Sequence, residues 1–313
     1  MTLTCGIDVG GTKIAGGVVD PEGNVLAHST VQSPADHVEA IEDAIVDLVN
    51  KLRTDHRVEA VGVGAAGYVD RSRSKVLLAP NLAWRDIDLR AELEPRLDVP
   101  VVIENDANAA AWGEFTYGAG HDVDDLLLVT VGTGIGGGVV LDGQLYRGAF
   151  GVAGEVGHLR VVRDGQLCGC GKHGCFEQYA SGSALVRNAR AAAASGGHAA
   201  DAVVERAGGD PDRIDGKMIT DAAQEGDAFA IEQLANLGRW LGEGIAALAT
   251  VLDPAAVAIG GGVSEAGDLI LEPLRVAFAK HLSGLPHRPL AEIRSATLGN
   301  RAGLIGAADL ARR

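Results

Sequence analysis

From the amino terminus, apolar positions first fall into two extended runs about a Gly/Thr turn, from Ile7-Asp8-Val9 through Gly10-Gly11-Thr12-Lys13 to Ile14 and Asp20. Short β-branched runs broken by glycine predict a hairpin, the glycines supplying the backbone angles of the turn. Val38, Ile41, Ile45, Leu48 and Leu52 then recur at helical spacing, before strand-like runs at 60–65 and 99–103. Helical periodicity returns over Ala228–Leu252 and is stopped by Asp253-Pro254. An apolar strand at 255–259 runs into Gly260-Gly261-Gly262, and a helix over 302–310 closes the pattern. Strands alternating with helices predict an α/β fold.

The first hairpin has an echo. Val129-Thr130-Val131-Gly132-Thr133-Gly134-Ile135-Gly136-Gly137-Gly138-Val139-Val140 again reads as strand, Gly/Thr turn and strand. Two copies about 120 residues apart, in a chain of 313 residues, predict duplicated halves, each presenting its glycine turn to a shared cleft. No linker rich in Pro, Ser or charge separates them, which places the boundary on a continuous element near residues 107–120. The expected division is a small N-terminal α/β domain over 1–110 and a large α/β domain over 111–299. The C-terminal helix, about residues 300–313, packs back on the first domain.

Composition narrows the function. Acidic residues outnumber basic ones by 42 to 27 and the net charge is −15, which repels nucleic-acid backbones and anionic membranes. Glycine, at 44 residues, has no Gly-X-Y period, and 47% of residues are hydrophobic, so collagen-like and disordered readings both fail. The start lacks the basic and apolar regions of a signal peptide, and the longest uncharged apolar stretch, 126–141, contains five glycines and is too short for a membrane span. A cytoplasmic protein, with neither nucleic acid nor membrane as partner, is expected.

Five groups of residues carry candidate chemistry. Gly10-Gly11-Thr12-Lys13 offers open N–H groups, a hydroxyl and an ammonium, the donors that cradle phosphates; the plainer alternative is a tight turn with a solvated lysine. Asp8, among apolar neighbours, needs a cation or polar partner, and Mg²⁺ on nucleotide phosphates is the natural one. Asn105 and Asp106 follow the apolar run Val101-Val102-Ile103 and precede an Ala-rich helix, where a carboxylate serves as a general base or simply caps the helix. Cys168, Cys170 and Cys175 crowd into eight residues with interleaved glycines, the density of a Cys₃His or Cys₄ zinc site rather than of disulfides, and Cys5 reads as a strand residue of the other half. His158 is the better fourth ligand and His173 the competing one. Glu155 and Glu177 flank these ligands; such acids, with asparagines nearby, suit sugar hydroxyls, or are plain surface glutamates.

Jointly, Asp8-Val9-Gly10-Gly11-Thr12-Lys13, Glu104-Asn105-Asp106-Ala107-Asn108, Val131 to Gly138, Gly154-Glu155-Val156-Gly157-His158, the 168–177 loop and Gly260-Gly261-Gly262-Val263 resemble the ROK family of sugar kinases and regulators. The resemblance runs nearly end to end. It implies an actin-like ATPase fold, two RNase H-like domains with a cleft between them. It also implies transfer of the ATP γ-phosphate to the 6-hydroxyl of a hexose, glucose being favoured over mannose, fructose, N-acetylglucosamine and N-acetylmannosamine.

On this resemblance Asp106 is the catalytic base. Gly10, Gly11, Thr12, Lys13, Thr133 and Gly134 hold phosphates, Gly261 and Gly262 line the adenosine pocket, and Asp8 orients Mg²⁺. Asn81, Asn105, Asp106, Glu155, His158 and Glu177 bind sugar hydroxyls, with Gly67 contributing backbone. Zinc, held by His158, Cys168, Cys170 and Cys175, is structural and orders the sugar loop. A homodimer or homotetramer is implied. Polyphosphate-using relatives typically lack such a cysteine loop, which favours ATP as donor. Sugar-responsive repressors in the same family carry a DNA-binding segment ahead of the sugar domain; the phosphate hairpin here already begins by Asp8, so a kinase is expected over a regulator.

Overall fold

The computed structural model describes residues 2–195 and 198–313. β1 (Leu3–Val9) and β2 (Lys13–Val19) pair antiparallel with Val9 opposite Ile14, so Gly10, Gly11 and Thr12 form the turn of the expected hairpin. β3 (Val25–Gln32) extends it antiparallel. α1 (Val38–Leu52) buries Ile41, Ile45, Leu48 and Leu52, four of the five positions picked out by their spacing, and leaves Val38 half-buried. β4 (Val58–Ala65) returns parallel beside β1, as the crossover helix requires. A small sheet of β5 (Tyr68–Val69), β6 (Val76–Leu78) and β7 (Arg85–Ile87) and then α2 (Leu89–Leu97) lead to β8 (Val101–Asn105), parallel to β4. α3 (Asp106–Tyr117) starts with no intervening loop.

The pattern then repeats. β9 (Leu126–Val131), β10 (Ile135–Leu141) and β11 (Gln144–Leu145) precede the irregular cysteine-bearing segment, which ends in α4 (Glu177–Ala180) and α5 (Gly182–Ala194). α6 (Asp201–Arg206), α7 (Gly216–Gln224), α8 (Ala228–Leu252), β12 (Ala256–Gly260), α9 (Asp268–His281), β13 (Glu292–Ser295) and α10 (Ala302–Arg312) complete the chain. Asp253 takes the left-handed conformation that ends α8 ahead of Pro254. Among the described residues, the two large sheets have the orders β3-β2-β1-β4-β8 and β11-β10-β9-β12-β13. Counting only the strands of each sheet in chain order, both read third, second, first, fourth, fifth, so the repeat seen in two short motifs is a repeat of topology. The 191–215 segment, rich in Ala, Gly and Asp, contains the end of α5 and the short α6; residues 196 and 197 lie outside the described residues.

Internal packing groups the chain into two compact units, Met1–Leu128 with Gly137–Gly154 and Ala296–Arg313, and Val129–Gly136 with Glu155–Ser295. The division expected at residue 110 falls inside α3, a single helix buried over Asn108–Glu114, and residues 111–128 and 137–154 group with the first unit instead. α10 explains why. It lies on β1, β4 and α3 of that unit so closely that a Cβ on Gly6 would overlap the Leu304 carbonyl, one on Gly62 the Ala307 carbonyl, and one on Gly306 the Ala109 carbonyl. At its far end the buried Asp309 carboxylate accepts from Trp112 Nε1 (2.8 Å) and the Tyr117 hydroxyl (2.7 Å) of α3, and pairs with Arg312 and Arg313.

Because backbone, not a yielding side chain, fills the space beside Gly62, Gly62→Ala is expected to cost about 3 kcal/mol or more. Denaturant unfolding monitored by circular dichroism checks this; a change within 0.5 kcal/mol, about the size of a neutral surface substitution, would show that the helix seat adapts.

Candidate active site

In the first unit the candidate residues gather at the ends of β1, β4 and β8. Glu104 is almost fully buried (1% exposed) and ion-paired to Arg147 Nε at 2.8 Å and Arg73 Nε at 3.1 Å. Its other oxygen accepts from the Asn105 backbone N (2.9 Å) and Asn108 Nδ2 (3.1 Å), which fixes the strand-to-helix junction. Asn105 caps α3, its Oδ1 accepting from Asn108 N (2.9 Å), while its Nδ2 donates to Gly67 O (3.1 Å) and to Asp106 Oδ1 (3.0 Å). The cap is therefore Asn105, and Asp106, the first helical residue, has its carboxylate oriented by that amide. Gly67 has no room for a side chain, since a Cβ would overlap the Leu78 carbonyl. Asn81 is exposed and lies against the Gly10–Lys13 turn, where a Cβ on Gly11 would sit 3.2 Å from Asn81 O.

The first glycine turn is closed by Gly10 N donating to Lys13 O at 3.0 Å, and leaves Gly11, Thr12 and Lys13 exposed. Asp8 sits at the end of β1, opposite Ala15 and Gly64, with Gly303 of α10 close by. Burial pushes its carboxyl up to about 6, against the pull of Lys13. A carboxylate held short of hydration gains from a cation, so the donor fits Mg²⁺.

In the second unit His158, Cys168, Cys170 and Cys175 converge, their ligand atoms all within 4.8 Å of one another. Cys168 Sγ stands 3.7 Å from His158 Nδ1 and Cys170 Sγ 3.6 Å from Cys175 Sγ, close to the edge of about 3.8 Å of a tetrahedron with zinc–sulfur bonds of about 2.3 Å. His173, the competing ligand, is exposed and turned to Gly165 O at 2.9 Å, outside the cluster. Three thiols and an imidazole, with no carboxylate among them, suit zinc and fill its coordination. Glu155 lies beside this group. Burial pushes its carboxyl above its ordinary range, the nearby His158 opposing and Glu177 adding to the rise. Glu177 opens α4 just beyond Cys175, its Oε2 accepting from Ile135 N at 3.0 Å.

The second glycine turn, closed by Gly132 N donating to Gly134 O at 3.0 Å, borders a cavity of about 1030 Å³ within the same unit. Gly132, Thr133 and Gly262 line it, while Gly134 and Gly261 are not among its lining residues. Gly261 is positive in φ and abuts Val131 O, where a Cβ would come within 2.5 Å. Ser183, Arg190, Lys217 and Gln224 also line the cavity. They had no motif to announce them, being scattered over α5 and α7.

This set of sites belongs to a family of known members. The ROK family model matches residues 4–313, and the chain belongs to that family. Its fold is the actin-like ATPase fold of ROK sugar kinases. Over 312 residues it is 51% identical to the glucokinase of Streptomyces coelicolor, covering 100% of this chain and 98% of that one. The crystal structure of a ROK family glucokinase from Streptomyces griseus, in complex with glucose and AMPPNP, superposes with a TM-score of 0.90 at 52% identity, over 99% of both chains. The xylose repressor of Bacillus subtilis is 31% identical over 86% of this chain and 67% of its own length.

Two outcomes follow from the geometry. Purified protein should carry about one zinc per chain by atomic absorption, and Cys175→Ser should lose it together with thermal stability; full-strength folding of a metal-free Cys175→Ser protein would remove the metal from the structural account. Asp8→Asn should raise the stability of the ligand-free protein by about 1–3 kcal/mol above pH 6. The native pKa of about 6 exceeds the ordinary carboxyl value of 3.8, so ionised Asp8 opposes folding above pH 6 and protonated Asp8 does not below pH 4. The advantage of the variant in thermal melts should fade between those values.

Proposed function

We propose that the protein is an ATP-dependent glucokinase, transferring the γ-phosphoryl group of ATP to the 6-hydroxyl of glucose to give glucose 6-phosphate and ADP. The observation that carries this reading is Asp106, held by Asn105 at the carboxyl end of β8 in a chain that is like glucokinases along its whole length. As the 6-oxygen attacks the γ-phosphorus, its proton passes to the Asp106 carboxylate; the new O–P bond forms as the bond to the ADP oxygen breaks. The part of Asp106 is to be in place to take that proton as the hydroxyl becomes acidic.

The remaining roles are assigned on the same reading. Asn81, Asn105, Asp106, the backbone at Gly67, Glu155, His158 and Glu177 bind sugar hydroxyls. Gly10, Gly11, Thr12 and Lys13 in one turn, and Thr133 and Gly134 in the other, hold phosphates through backbone N–H groups. Gly261 and Gly262 line the adenosine pocket. Asp8 orients Mg²⁺, which when bound neutralises charge on the phosphates. Zinc keeps the 168–177 loop folded beside Glu155 and Glu177.

The protein is proposed to act in the cytoplasm as a homodimer or homotetramer, with no nucleic-acid or membrane partner. No described helix is long and apolar enough to cross a membrane, and the net charge of −15 disfavours polyanions. The ROK repressors are the second reading, favoured only by their likeness. Retention of Asp8, the Gly10–Lys13 turn and Asp106, which a pure sugar sensor does not need, favours the kinase.

An ADP-release assay with Mg-ATP across glucose, mannose, fructose, N-acetylglucosamine and N-acetylmannosamine tests the assignment. Glucose should be preferred, and Asp106→Asn should bind it nearly normally while turnover falls by about 10²–10⁴. Unchanged turnover in that variant would remove Asp106 from the chemistry, and a preference for an N-acetyl sugar would move the substrate.

A further inference from the structure

Glu177 stands two residues past the last cysteine of the metal loop, yet its carboxylate reaches back to the second glycine turn. Oε2 accepts from the Ile135 backbone N at 3.0 Å, and Oε1 lies 4.0 Å from Cys168 Sγ. The approach is close enough that a Cβ on Gly134 would overlap Oε2. Glycine at 134 is thus needed to let this carboxylate in, whatever it does for a phosphate.

The same turn is held from two more sides. Gly182 N donates to Gly132 O at 2.8 Å and Ser183 N to Thr133 O at 3.3 Å, both donors opening α5, which follows α4 with only Ser181 between. On the other flank Gly157, next to the ligand His158, leaves no space for a Cβ beside Ile135 O. Residues that adjoin the metal ligands, with the start of α5, therefore pack around the turn that borders the large cavity.

We propose that Glu177 is a positioning residue for the nucleotide, transmitting the order of the metal loop to the Thr133–Gly134 turn. The proposal rests on the reading of that turn as a phosphate site. The physical cause is simple. With the Ile135 N–H and the Gly132 and Thr133 carbonyls each tied down, the turn keeps its free N–H groups in one arrangement before any phosphate arrives, and a preorganised turn binds more tightly than one that must be ordered on binding. If Glu177 also touches sugar, one carboxylate then bears on both substrates. Sugar and nucleotide affinities become linked through a single side chain.

Calorimetry of Mg-AMPPNP binding to the full-length, zinc-loaded protein without sugar tests this directly. Glu177→Ala, which removes the acceptor, should weaken binding about tenfold, the loss expected for one hydrogen bond to a charged group. Glu177→Gln, which keeps one acceptor oxygen of the same reach, should restore most of it. Unchanged AMPPNP affinity in Glu177→Ala would confine this residue to sugar and overturn the proposal. Failure of the unmutated protein to bind AMPPNP at all would instead overturn the phosphate-site reading, and the proposal with it. If Glu177→Ala does not fold, hydrogen exchange on the unmutated chain decides. The Ile135 amide should exchange faster after zinc is removed by chelation, and equal protection with and without zinc would overturn the link.

Discussion

The first unit depends on backbone meeting backbone. At Gly6 and Gly62 the sheet presents no side chain, and the carbonyls of Leu304 and Ala307 in α10 occupy the space where one would stand. At Gly306 the relation is reversed, the helix yielding to the Ala109 carbonyl of α3. Four candidate residues of this unit stand at the ends of those elements. Asp8 ends the strand that contains Gly6, Gly67 follows the strand that contains Gly62, and Asn105 and Asp106 begin the helix that contains Ala109. An apolar interface of ordinary side chains would tolerate some sliding. A seat made of main chain does not, and the carboxylates at its edge inherit that fixity.

Opposed demands meet at Asp8 and Glu104, and they are met differently. Glu104 is buried with two guanidinium groups and two amide donors, so its charge is compensated within the fold and serves to hold the junction that carries Asn105 and Asp106. Asp8 is left with Lys13 as its opposing charge and a raised pKa. The difference separates a structural acid from a ligand-seeking one by environment alone, although both stand near the ends of apolar strands and read alike in the sequence.

Much of this was legible in the amino-acid order because it is local. The hairpins at 7–20 and 129–140, the helix at 228–252 and the cysteine loop each declare themselves within a window of fewer than thirty residues, through period, glycine placement or thiol density. The choice between His158 and His173 could be stated but not settled there, since it turned on which imidazole faces the sulfurs. What stayed hidden is what joins distant segments. Arg73 and Arg147 look like surface arginines until Glu104 is found between them. The grouping of α3 with the end of the chain was hidden for the same reason, because the bonds that Trp112 and Tyr117 donate to Asp309 leave no local mark. The residues that line the nucleotide-sized cavity from α5 and α7 were likewise invisible, since a helix reveals its buried stripe and not what its remaining face encloses.

The seating of α10 also bears on how the molecule is made. A ribosome delivers β1 and β4 early, with Gly6 and Gly62 bare, and must then synthesise all of residues 155–295 before α10 emerges to cover them. The second unit, contiguous apart from the segment at 129–136, has most of its chain in hand while the first is still missing a wall. The order of completion in the cell is therefore the reverse of the order of synthesis: the half that starts the chain is the last able to close its core.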